Sequence, residues 1–165
     1  MDSSIRTDFN ELVVPMLGLA ERRLEQEGEF RPFGARVAAG GHLAVIDVAP
    51  SLDNPSNPLI IDALYATFRL EARAGTIRAC AVCWDATVPR EQGGGLMDAI
   101  AIGLEHRDGE PTVIVREYQM DQSGEIHFED PVTIAGRRHV FGTVLFCQAG
   151  GDPGNQPAQP WQPLQ

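Results

Sequence analysis

The chain has 165 residues, 43% of them hydrophobic, and a formal net charge of −10. A chain of this length buries about two-thirds of its unfolded surface, so one core needs no disulfide or metal staple, and no apolar run reaches the roughly 18 residues of a membrane helix. The acidic balance excludes a surface built to release counterions from nucleic acid or an anionic membrane. All 13 basic residues are arginine, which removes Schiff-base, P-loop and general-base lysine chemistry.

The first element predicted is a helix over about Thr7 to Glu27, with Phe9, Leu12, Val13, Met16, Leu17, Ala20 and Leu24 on one stripe. Pro15 is discordant and kinks it or starts its main part. Gly28 is the expected stop. The stretch Glu29-Phe30-Arg31-Pro32-Phe33 then makes a stiff corner into a hairpin. A two-residue Gly40-Gly41 turn would set Phe33, Ala35 and Val37 opposite Val48, Ile46 and Ala44 on a core face.

Pro50 to Pro58 reads as a loop. A second helix follows over about Pro58 to Ala74, capped by Ser56 or Asn57 and buried through Leu59, Ile60, Leu64, Phe68 and Ala72. Strands are predicted at Thr76 to Asp85, about Asp98 to His106, Thr112 to Gln119 and Glu125 to Glu129. Pro131 to Ile134 extends the last of these, and His139 to Cys147 favours a further strand. A two-residue Asp108-Gly109 turn sets Leu104, Ile102 and Ile100 opposite Val113, Val115 and Glu117. The reverse face of that hairpin, with Ala99, Ala101, Gly103, Ile114 and Tyr118, is apolar as well and is the candidate interface or ligand groove.

The order α-β-β-α-β-β-β-β predicts an α+β fold: two layers, an antiparallel sheet of five to seven strands, and both helices on one face. The domain spans 1–148. The Gly/Pro/Gln-rich segment 149–165, with Trp161 its one large side chain, reads as a tail.

The constellations that could carry chemistry are thin. Cys80-Ala81-Val82-Cys83 has CxxC spacing, but on a strand these two residues point to opposite faces, so they read as structural. His42, His106, His127 and His139 are scattered, and Glu105-His106 diverge. No metal and no cofactor is predicted. Gly93-Gly94-Gly95 lacks the flanks of a phosphate loop. Arg137-Arg138 reads as hairpin-tip charge. No serine sits in a nucleophile elbow.

The motifs Gly28-Glu29-Phe30-Arg31-Pro32-Phe33-Gly34 and Asp98-Ala99-Ile100 through Glu105-His106, with an aromatic-bearing strand at Glu117-Tyr118, resemble a group of small uncharacterised bacterial proteins. These share a GxFxPF corner and a DAIxxxxEH strand. The resemblance implies a compact α+β domain and carries no assigned activity or catalytic residue.

Three functions remain as expectations. The first is a non-enzymatic binding or self-associating module, a homo-oligomer through the reverse sheet face. The second is a small-molecule enzyme gathering Asp47, Asp85, His106 and Glu117 from strand ends. The third is an immunity-like protein presenting its acidic surface to a protein partner. An odd count of three cysteines and an N-terminus without signal-peptide layout predict a cytoplasmic setting.

Overall fold

A computed structural model describes residues 2–47, 53–90 and 93–142. The elements run α1 (Ser3–Glu27), β1 (Phe33–Ala38), β2 (Leu43–Ile46), α2 (Asn57–Arg73), β3 (Ile77–Pro89), β4 (Leu96–His106), β5 (Thr112–Met120), β6 (Ile126–Phe128) and β7 (Val132–Ala135). This is an α+β fold on one antiparallel sheet in the order β2-β1-β3-β4-β5-β6, with β7 also on β5. β6 pairs with Tyr118–Met120 and β7 with Thr112–Val115. They therefore share one outer edge: Glu129 still donates to the Glu117 carbonyl at 2.9 Å, and a one-residue register shift at Asp130-Pro131 separates the two strands.

The helix ends follow the capping rules. The Asp2 carboxylate accepts from the Ser4 amide, and Gly28 closes α1 in the left-handed region at φ 76°, its N–H donating to the Leu24 carbonyl. α1 runs unbroken through Pro15. Ser56 caps α2 by accepting from the Leu59 amide, ahead of Pro58 in the first turn.

The two helices lie on opposite faces of the sheet, so there are three layers and not two. Ala79, Ala81 and Cys83 of β3 pack with α1, together with Phe33, Ala35, Val37, Ile100, Ile102 and Leu104. The alternate residues Cys80 and Val82 pack with Ile60, Leu64, Tyr65 and Phe68 of α2. Alternate strand residues point to opposite faces. The continuous apolar run from Ala79 to Cys83 records this directly, because a strand covered on both sides has no wet parity.

At the corner the two layers meet on consecutive residues. Phe33 is fully buried under α1, edge-on to Phe30 and beneath the Arg23 guanidinium. Gly34 faces α2, where a Cβ would stand 2.8 Å from the Phe68 ring. Only glycine lets α2 approach β1 this closely.

Both expected hairpin registers are one residue out. β1 pairs Gly34 with Ile46 and Val37 with Leu43, and the Ala38 amide bonds the His42 carbonyl, so the loop is Ala39-Gly40-Gly41. Gly41 takes φ 95°, as in three-residue hairpins that end on a left-handed residue. β4 pairs Leu104 with Thr112 and Ile102 with Ile114, leaving Arg107-Asp108-Gly109 as the loop. A one-residue slip moves every side chain of the second strand to the other face. Ile46 therefore packs on the α2 side.

The expected partner Val48, the segment 143–147, Cys147 and the tail 149–165 lie outside the described residues. The part of the expected last strand that is described, residues 139–142, is a turn.

Candidate functional site

The candidate interface set does not share a face. Ala99, Ala101 and Gly103 lie on the α2 side, where the Gly103 position is walled by Trp84 and Tyr65. Ile114 and Tyr118 lie on the α1 side within its core, and Tyr118 is buried. The β4–β5 slip is the cause. In their place, Val113 and Val115 of β5 come onto the α2 side opposite Gly103 and Ala101.

The proposed catalytic set is likewise dispersed. Asp47 forms an exposed ion pair with Arg23 at 3.1 Å. His106 lies at the far end of the sheet, opposite Ala79, and Glu117 is on the other face from Asp85. Only Asp85 of the four lines a cavity of about 480 Å³, together with Glu29, Phe30, Arg31, Asn54 and Ser56. Burial raises the Asp85 pKa, and the charges of Asp98 and Glu29 raise it further, against a 2.9 Å bond from the Tyr118 hydroxyl.

His106 is one corner of a structural triad whose carboxylate, Asp8, and imidazole are buried and whose guanidinium, Arg78, is half-buried. Asp8 of α1, inside the α1 layer, accepts two 2.7 Å bonds from the Arg78 guanidinium and one of 3.1 Å from His106 Nε2. The Asp108 amide donates to His106 Nδ1 at 3.0 Å, so the ring proton belongs on Nε2. Arg78 reaches this face because it is the extra residue of a β-bulge, inserted between Ile77 and Ala79 opposite Ala38 and Val37. Burial pushes the Asp8 carboxyl up, but the bonds and charge of Arg78, then those of His106, hold it below its usual range.

Glu105 points into the α2 side and ties down the chain after β7. Its carboxylate accepts from the amides of His139, Val140 and Phe141, the shortest bond being 2.6 Å. Successive backbone N–H groups around one anion form a nest. Arg69 Nε donates to the His139 carbonyl at 2.7 Å, and the His139 ring stacks on Tyr65. This strap was not legible in the sequence as an anion nest.

Cys80 and Cys83 are buried in opposite layers, and burial pushes both thiols well up. They are poor nucleophiles and metal ligands in that state. Asp121, Glu125 and His127 bring one ligand atom each within 4.8 Å of one another on an exposed turn. Asp121 accepts from the Ser123 hydroxyl and amide, the Glu125 amide and His127. These bonds hold its carboxyl well below the usual range and account for the grouping as turn structure.

Like β2 at the other edge of the sheet, with Leu43 and Val45, β7 is an edge strand that exposes large aliphatic side chains. Its four residues are all exposed, including Val132 at 55% and Ile134 at 39%. Both side chains lie on the α2-side face beside Val115 and Val113, their partners across β5. Among the described residues no strand pairs with the outer edge of β7. Gly136 closes the strand tightly on β5, its amide donating to the Pro111 carbonyl at 3.0 Å, where a Cβ would stand 2.8 Å from the Thr112 nitrogen. Comparison of the chain with models of protein families, with curated proteins and with solved structures finds no match.

Proposed function

We propose that this protein is a non-enzymatic binding module of the bacterial cytoplasm that associates with a second copy of itself. The observation that carries the reading is β7: an edge strand with open backbone groups and two exposed aliphatic side chains continuous with a sheet face. Such an edge is a template for another strand unless it is charged, bent or covered. The scatter of Asp47, Asp85, His106 and Glu117 supports a binding role over catalysis. The charge of −10 supports a protein partner over nucleic acid or membrane, and buried free thiols suit a reducing compartment.

A four-residue strand gives a small interface, so the dimer is weak, with a Kd on the order of micromolar. Light scattering across a concentration series tests this. The molar mass is expected to rise toward twice that of the chain; a mass fixed at one chain up to millimolar concentration would contradict it.

One observation favours a second reading, a small-molecule site: the cavity beside Asp85, whose carboxyl is pushed up by burial and by the charges of Asp98 and Glu29. Crystals soaked with small amines and polyols, showing density against Asp85, would support it.

A further inference from the structure

We infer that β7 pairs with β7 of a second copy about a two-fold axis through Thr133, and that the charges flanking the strand set this register. The inference rests on the self-association proposed above and names its geometry.

The direction of the backbone groups comes first. Gly136 donates inward to Pro111, its partner in the β5–β7 ladder. In an antiparallel ladder the inward-bonding residues alternate, so Gly136, Ile134 and Val132 spend their backbone groups on β5. Thr133 and Ala135 direct theirs outward. A second antiparallel strand must bond to those odd-numbered residues. A two-fold axis at Thr133 satisfies this: Thr133 exchanges both of its bonds with the partner's Thr133, and the Ala135 amide reaches the partner's Pro131 carbonyl.

The side chains agree with that register. Val132 falls opposite the partner's Ile134, and Ile134 opposite the partner's Val132. Four exposed aliphatic side chains thus meet on the α2-side face at the close, non-hydrogen-bonded positions. Thr133 meets its own copy on the other face, a favourable cross-strand pair.

The charges select a second copy over another partner. The segment reads Glu129-Asp130-Pro131-Val132-Thr133-Ile134-Ala135-Gly136-Arg137-Arg138, acidic at one end and basic at the other. In the Thr133 register the acidic end of each segment, Glu129-Asp130, lies toward the partner's basic end at Arg137, and the two-fold repeats this arrangement. Glu129, Asp130 and Arg137 are exposed. Arg138 is already committed, donating to the Gly109 carbonyl at 2.8 Å beside Glu110. A strand with this polarity is complementary to itself when antiparallel, and an isologous interface requires that self-complementarity. Pro131 and the bend before it confine pairing to the short β7 stretch, so the contact closes as a dimer and does not propagate along the edge.

The test uses the full chain and three variants in sedimentation equilibrium. Arg137→Glu brings like charges together at both ends of the interface and should weaken the dimer by about tenfold. Glu129→Arg combined with Arg137→Glu reverses both ends, and the dimer should return to within about threefold of the original. Thr133→Pro removes both axial bonds while sparing the ladder to β5, and should also weaken it by about tenfold or more. Circular dichroism confirms that each variant folds.

A dimer indifferent to Arg137→Glu and Thr133→Pro overturns this register while leaving self-association standing. A chain monomeric at every concentration overturns both. Amide exchange separates the remaining occupant: Thr133 protection that rises with concentration supports the second copy. Protection unchanged by dilution would mean that the chain's own residues 143–165 cover β7, and would overturn the inference.

Discussion

At the residue scale, two side chains show how the corner and its cavity are built. Phe33 is fully buried between α1 and the sheet, and Phe33→Ala should cost about 3–5 kcal/mol in chemical denaturation; a loss well below 1 kcal/mol would mean the site collapses without it. Asp85 is the opposite case. Its pKa lies above the ordinary 3.8 because burial and the Asp98 and Glu29 charges disfavour the anion. Such a group stabilises the fold below its unfolded pKa and gives up that contribution as pH rises through its folded pKa. At pH 7 Asp85 is therefore a net liability. Asp85→Asn, which still accepts from Tyr118, should raise the melting temperature at pH 7, with the gain closing toward pH 4. A gain that persists undiminished in acid would refute the electrostatic cause. The role of Phe33 was legible from sequence as an aromatic at a proline corner. The state of Asp85 was not, because it depends on Glu29 and Asp98 arriving from other elements.

At the scale of elements, the order of helices and strands along the chain was legible and the registers were not. Gly40-Gly41 and Asp108-Gly109 suit two-residue turns, but each turn takes in one more residue. Gly109 does not adopt the positive φ that a two-residue type I′ turn needs, and the Asp108 amide is held by His106 instead. His106 in turn bonds Asp8 of α1, a long-range contact that no local signal encodes. Helix placement was ambiguous for a related reason. An amphipathic stripe says that a helix covers something, not which face it covers. The apolar alternate face of β3, with Cys80 and Val82, is the seat of α2. The strap at His139–Phe141 shows a third kind of omission, a carboxylate and three amides that meet only in the fold. Glu105→Gln keeps one acceptor but turns an amide nitrogen toward backbone donors. It should cost about 1–3 kcal/mol and speed amide exchange at Val140 and Phe141. Unchanged exchange there would show that packing on Tyr65 and Ile61 holds the strap without the carboxylate.

At the scale of the molecule, the sheet is sealed unevenly. α1 covers one face across β1, β3 and β4, whereas α2 sits over β1 and β3 on the other. The outer edge of β5 is closed by two short strands, and the second of these presents Val132 and Ile134 to solvent. Self-association is expected from sequence through an apolar face without a partner. The β4–β5 slip removes that face, so Ile114 and Tyr118 are core residues and variants there report on folding. The central claim is best tested by isotope-filtered nuclear Overhauser spectroscopy on a mixture of labelled and unlabelled protein. Contacts are predicted between the Val132 methyls of one copy and the Ile134 methyls of the other. Intermolecular contacts confined to other surfaces, or none in a sample that scatters light as a dimer, would contradict pairing through β7.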